Sequence, residues 1–374
     1  MIVCFECPDD RKREMDELIA KGGYRDYSEF ISLAIANQFL LHSRAGIVAG
    51  IVVESASASS RERQANSKSG SSGSLNNESK DGSEIERPIL GDVPEVFRAP
   101  KMLSADVRLA SIPEDFFVLG EDIPLERWLF GQFNRLLPAK ASCRAIANML
   151  PTHTEGLELG KAAVEIARQA RNLAIELQRR DSLLSTDRDD QLSTALPSPS
   201  SAEKGIARYS SQFVGGMNKR GQLSGLLASL KLIGRCEGKK STISLTEAGW
   251  SFALLQNPCL DGTDGRTADK FSDEEREFLC SLIHNAVPQE RSAYKTIIEL
   301  IGQGHNTPEN LDVALQKHVS PNFNASQSFI ATQRSGAISR MTDLGLVARE
   351  RDGIRVKYVV TERGKQFLGK MHHE

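Results

Sequence analysis

The apolar positions of this chain keep two rhythms, and the switches between them predict most of its elements. At the start, "IVCFEC" alternates with a period of two and reads as a short strand. It ends at Pro8, a favourable first helical residue. Arg11 to Lys21 then takes a helical period, with Met15, Leu18 and Ile19 on one face, and Gly22-Gly23 stops it. Asp26 and Glu29 make a capping-box-like pair that opens a second helix through Leu41, with Phe30, Ala34, Ile31 and Ile35 as its buried stripe. From residue 45 to about 92 the rhythm stops. Ser, Gly and Asn dominate there, and a segment with so little to bury cannot repay the entropy of ordering.

Beyond that tether the pattern repeats. "LIGRCEGKKSTISLTEAGWSF", Leu232 to Phe252, is echoed by "LVARERDGIRVKYVVTERGKQF", Leu346 to Phe367. Each reads as strand, polar turn, strand, then a helix opened by Thr-Glu-x-Gly. Further upstream, "LERWLFGQFNRLLPAKASCRAIANML" from Leu125 matches "EREFLCSLIHNAVPQERSAYKTIIEL" from Glu275, with Pro138 on Pro288. Both lead into another helix, near Leu157 and near Leu311. The first copy adds a long helix, about Gly160 to Leu184, and a polar insert at about 185–204. Duplication over a whole unit predicts a repeat architecture. The expected fold is mainly α with small β wings (α+β): a module at 1–44, a disordered linker at 45–92, and two repeats at 93–260 and 266–374.

Strand, helix and helix within 1–44, with Pro8 and "GGYRDYSEFI" between the helices, resembles the ribbon-helix-helix family. The resemblance implies two copies pairing their strands antiparallel, with Val3, Phe5, Cys7, Phe30, Ile31 and Ile35 at the dimer core. The outward strand residues would be Ile2, Cys4 and Glu6, of which only Glu6 could read a base, towards cytosine, and its carboxylate repels the surrounding phosphates. The module is therefore read as a homodimerisation device. An edge strand and two helices of a larger domain is the other reading of the same residues. The two repeats resemble regulators of the MarR and ArsR type, where Ser-Arg-x-x-x-Leu-Gly-Leu, here Ser339 to Leu346, leads into a wing. That likeness implies tandem winged helix-turn-helix units, each with a recognition helix for the major groove.

Candidate contacts follow from the periodicity. In the second repeat the recognition helix is expected over about Thr332 to Leu344, with Ile338, Met341, Leu344 and Leu346 inward. Gln333, Arg334, Ser335, Ser339 and Arg340 are left for solvent or a groove, where Arg and Gln can make bidentate contacts to base edges. Asp352-Gly353 marks the wing turn, flanked by Arg349, Arg351, Arg355 and Lys357. In the first repeat, "NKRGQLSGLLASLKLI" offers Lys219, Arg220, Gln222 and Ser224, followed by Lys231, Arg235, Lys239 and Lys240 around the wing. Leu226 stands where the second copy has Arg340, and Gly221 and Gly225 weaken the helix. Packing or protein binding is thus as open a role for this repeat as DNA contact.

Composition narrows the class. Forty-seven basic against 49 acidic residues give a net charge of −2, which argues against a general nucleic-acid coat. Six scattered cysteines fit a reducing cytoplasm. Asp9 and Asp10 break any signal peptide, and Ile47 to Val53 is too short to span a bilayer. Cys4 and Cys7 have no second pair for zinc, His372 and His373 read as a tail, and no phosphate loop or nucleophile–base pair is present. No enzyme activity, metal or cofactor is expected. The expected function is a cytoplasmic, nucleoid-associated homodimer that binds double-stranded DNA as a sequence-specific transcriptional regulator, with no membrane partner. The alternative is a winged-helix adaptor or scaffold in a multi-protein assembly, such as plasmid partition or phage defence.

Overall fold

Prolines and short polar side chains write the helix starts of this chain. The computed structural model describes residues 9–20, 27, 93–100, 107–111, 123–152, 155–186, 190–198, 202–219, 221–236, 241–262, 269–353 and 355–371. Its contacts divide the chain into two units, Met1–Ile89 and Leu90–Glu374. Of the first unit, helix α1 (Asp9–Ala20) and Tyr27 are described, and the Tyr27 hydroxyl donates to Asp16. The predicted strand, second helix and linker lie outside the described residues, as do Val3, Phe5, Cys7, Phe30, Ile31 and Ile35.

The second unit is mainly helical with small antiparallel sheets. Its first repeat contains α2 (Leu137–Met149), β1 (Leu157–Glu158), α3 (Leu159–Leu184), α4 (Ala202–Tyr209), β2 (Gly216–Met217), β3 (Leu223–Ser224), α5 (Leu226–Ser229), β4 (Ile233–Arg235), β5 (Thr242–Leu245), α6 (Glu247–Leu254) and α7 (Pro258–Asp261). The second contains α8 (Asp273–Ala286), α9 (Pro288–Gly302), α10 (Pro308–Leu315), α11 (Gln327–Asp343), β6 (Val347–Asp352), β7 (Arg355–Val360) and α12 (Glu362–Met371). Pro138 and Pro288 both sit in the first turn of their helices, where a missing N–H costs nothing. Ser272 and Glu275 close a capping box on α8, and Thr307 and Ser326 cap α10 and α11.

The duplication is carried by geometry where each wing meets its last helix. The Leu232 carbonyl accepts from Thr246 N–H at 3.0 Å, and the Leu346 carbonyl from Thr361 N–H at 3.1 Å. Each threonine hydroxyl caps the glycine of Thr-Glu-x-Gly: Gly249 N to Thr246 at 3.0 Å, Gly364 N to Thr361 at 3.1 Å. Each hydroxyl also donates backwards, Thr246 to Lys231 O at 2.8 Å and Thr361 to Gly345 O at 2.6 Å. Glycine is required in both copies. A Cβ on Gly249 would stand 1.9 Å from Leu232 O, and one on Gly364 would stand 2.3 Å from Leu346 O. Both sheets are also built alike. Strand β5 lies between β1 and β4, and the Asn306 carbonyl takes the place of β1 beside β7 by accepting from Tyr358 N–H at 2.7 Å.

Elsewhere the copies part. The counterpart of α8 is a single 3₁₀ turn, Leu125–Arg127, followed by irregular chain to Leu136, where the sequence match predicts a helix. The recognition helix expected in the first repeat is instead the β2–β3 hairpin, and only its last turn survives as α5. Glycines explain the change: Gly215, Gly221 and Gly225 hold φ of +136°, +73° and +103°, which no helix accommodates. The polar insert is bound back to α3 over 190–198. The Asp181 carboxylate accepts from Leu192 N at 2.7 Å and from the Ser193 hydroxyl at 2.6 Å, and Leu192 is buried.

One apolar core runs from Val93 to Phe367 through both repeats. A buried polar network crosses between them. Lys140 on α2 lies 2.8 Å from Glu275 on α8, with both side chains fully buried. Lys140 also donates to the Phe252 and Leu255 carbonyls, while Arg144 forks onto Asp261 and donates to Ala253 and Leu255. These two cations thus sit on the C-terminal carbonyls of α6, where the helix dipole favours positive charge. The Asn257 amide reaches Glu275 at 2.9 Å, so one carboxylate ties the N-cap residue of α7 in the first repeat to that of α8 in the second.

Candidate nucleic-acid interface

Helix α11 begins at Gln327, five residues before the expected Thr332, because the Ser326 hydroxyl accepts from Phe329 N–H and starts it there. Its inward stripe is the expected one: Ile338, Met341 and Leu344 are fully buried. The opposite side differs from the expectation. Gln333 is 3% exposed, Ser339 6% and Arg340 0%. A second layer, residues 125–136, lies over this side. Gly131 N–H donates to Gln333 Oε1 at 2.6 Å, Gln333 Nε2 to Leu125 O at 3.2 Å, Arg340 Nη1 to Phe133 O at 2.6 Å, and Leu136 N–H to Asp343 Oδ2 at 3.0 Å. Backbones nearly touch at the crossing, where a Cβ on Gly336 would stand 2.1 Å from Gly131 O.

Arg340 is therefore not a groove reader in this structure. It forks onto Glu290 of α9, with the Nη2–Oε2 arm at 2.9 Å and both side chains buried. Burial, the largest influence, pulls its pKa down, and Glu290 and Tyr294 together more than reverse that, leaving the pKa raised. Arg334 is also engaged. It forks onto Asp312 of α10 at 2.7 and 3.2 Å and donates to the Tyr358 hydroxyl at 2.8 Å, fixing α10, α11 and β7 to one another.

What α11 leaves in contact with solvent is its N-terminal half. Gln327 and Ser335 are exposed, and Ser328, Ala331 and Thr332 are half-buried. Gln327 and Ser328 escaped the sequence reading because it started the helix late; Ser326, a hydroxyl at a cap position, was the available signal. The wing adds charge on two opposite faces. Register pairs Arg349 with Tyr358 and Arg351 with Val356 on one face, and Glu350 with Lys357 and Asp352 with Arg355 on the other. Arg349 donates to Ser339 of α11 at 2.9 Å, so the Arg349/Arg351 face is the one beside the helix. Lys357 instead faces Glu350 directly across the strands, which offsets its charge.

The first repeat presents a hairpin. Lys219 and Gln222 are exposed in the β2–β3 turn, where Asn218 Oδ1 accepts from Gln222 N–H at 2.8 Å. Arg235 of β4 donates to Gly221 O at 3.0 Å and ties the turn to the wing. Arg220, Lys239 and Lys240 lie outside the described residues. Burial pushes the Cys143, Cys259 and Cys280 thiols up to about 12, far from the thiolate form that reacts. Among the described residues, no group of three or more His, Cys, Asp or Glu could hold a metal, and no helix is long and apolar enough to cross a membrane. No family model matches this chain, and no curated protein or solved structure is found similar to it.

Proposed function

We propose that this chain is a DNA-binding protein, dimerised through residues 1–44, that acts as a transcriptional regulator at the nucleoid. Its duplex contact is the N-terminal half of α11 together with the Arg349/Arg351 face of the second wing. The carrying observation is that α11 exposes Gln327 and Ser335 on the helix that also touches the arginine face of the wing. A glutamine amide can pair with an adenine edge, a serine with several edges, and Arg351 suits a phosphate. With Gln333 and Arg340 covered, each protomer reads few bases. Discrimination per site is then modest, and pairing two tethered units supplies the affinity through effective concentration.

The test is capture of fragmented genomic DNA by the full chain at two salt concentrations, followed by titration of an enriched site. Gln327→Ala should relax base preference at a cost of about 1–3 kcal/mol. Arg351→Ala should weaken all sequences alike and reduce the salt slope by about one. Absence of bound DNA at low salt, or indifference to both substitutions, would overturn this reading.

A second reading, an adaptor or scaffold in a multi-protein assembly such as plasmid partition or phage defence, is favoured by one observation. A whole face of α11 already grips a polypeptide segment through its backbone atoms. Winged helices serve as protein-binding modules as well as DNA readers, so the fold leaves both open.

A further inference from the structure

We propose that the outer face of the second wing, around Ala348 and Val359, is a docking ledge for an extended segment of a partner protein whose central residue is glycine. The internal duplication shows how such a face is filled. In the first wing Gly234 pairs with Ser244, and Val107–Ser111 of the same chain lies over both. Ala110 N–H donates to Leu245 O at 2.8 Å, and the Ser244 hydroxyl donates to Arg108 O at 2.8 Å. A Cβ on Gly234 would come within 2.8 Å of the Ala110 methyl, so the segment rests directly on the glycine. Ser244 is 0% exposed as a result.

The repeat carries Gly234 onto Ala348 and Ser244 onto Val359, and β6 and β7 pair these two residues in the same way. Here the face is open: Ala348 is exposed and Val359 is 37% exposed. An apolar pair on the solvent side of a hairpin runs against the usual alternation of buried apolar and exposed polar residues. The two replacements define the occupant. The Ala348 methyl takes up the room that the Ala110 methyl has in the first wing, which leaves space there for glycine. Val359 offers no hydroxyl, so the contact is apolar where Ser244 made it polar. Further along, the same face carries Glu350 on β6 opposite Lys357 on β7, which can receive flanking charges of either sign. Segments that add onto a wing in this manner gain affinity from main-chain bonds and selectivity from side-chain fit. The ledge is on the opposite side from Arg349 and Arg351, so it is independent of the DNA reading.

The probe is a fluorescent peptide of residues 105–113, in its native form and with Ala110→Gly, titrated by anisotropy into the full chain. The glycine form should bind saturably and more tightly than the native form. The chain carrying Ala348→Gly with Val359→Ser should bind the native form about three- to tenfold tighter than wild type, the scale of one recovered hydrogen bond. Val359→Glu should abolish binding while leaving DNA capture and the melting temperature unchanged. Three results would overturn the proposal: no saturable binding of the glycine peptide, binding indifferent to Val359→Glu, or no gain in the double variant. A fall in solution mass of the chain on Val359→Glu would also overturn it, by assigning the face to a second copy.

Discussion

Arg340 and Leu226 occupy matching positions in the two repeats, and both are fully buried. One copy fills the site with an aliphatic side chain and the other with an ion pair whose partner, Glu290, lies 50 residues away. On the sequence alone Arg340 falls on the side of α11 away from Ile338 and Met341, where a lone helix meets solvent. Nothing local announces a second layer over that side, so long-range contact is what the sequence hid. Arg340→Leu should strand Glu290 and lower stability by about 3–5 kcal/mol in urea unfolding, whereas adding Glu290→Leu should recover most of the loss. A surface reader would instead cost almost nothing in stability. Lys140 makes a pH-dependent case. Burial lowers its pKa from 10.5 to about 8, partly resisted by Glu275. The unfolded chain therefore binds more protons between those values, and the Lys140 contribution to stability increases as pH rises through that window. The buried cysteines act oppositely above 9, since their folded thiols hold protons that the unfolded chain releases. The lysine effect is read as the difference between wild type and Lys140→Met, which should shift against the variant by a few kcal/mol from pH 7.5 to 10. A pH-independent difference would contradict it.

At the scale of elements, legibility depended on whether the signal was local. The threonine caps, the proline starts and the wing strands were readable because each is fixed by residues within a few positions. Their repeated geometry gives a paired expectation: Thr246→Val and Thr361→Val should each cost about 0.5–2 kcal/mol, and by similar amounts. Thermal melts of the two variants would show it, and a large loss in one copy alone would mean the junctions are not equivalent. The β2–β3 hairpin was half legible. Gly221 and Gly225 weaken a helix on the sequence alone, but Gly215 completes the set, and its role depends on the close approach of Gly225. Residues 125–136 were not legible at all. Their match to α8 carried the helical expectation, while the factor that keeps them irregular is α11, about 200 residues on. Gly131→Ala places a Cβ 2.2 Å from Thr332 O, against backbone that cannot rotate away. It should lower stability by about 1–3 kcal/mol or more, as overpacking does.

Across the whole second unit, the repeats read as two domains in sequence but share one interior. Each wing unit has its own apolar stripe and turn signals, which is all that a periodic pattern can report. Beside that shared apolar core, polar pairs join them: Lys140 with Glu275, Asn257 with Glu275, and the Gln333, Arg340 and Asp343 grip on residues 125–136. Charged and amide residues in a sequence are read as solvent-facing by default. A fragment of residues 266–374 would leave Glu275 without its lysine and the Gln333/Arg340 side of α11 without its cover. It should therefore fail to melt cooperatively by circular dichroism, whereas residues 90–374 should unfold in a single transition at every probe wavelength. Two separable transitions in the longer fragment would mean that the repeats are independent after all. A single one has a functional consequence through linkage: a ligand on either repeat stabilises both, by an amount set by its concentration relative to its dissociation constant. DNA at α11 should then raise the melting temperature reported by Trp250 in the first repeat as much as that reported by the whole unit.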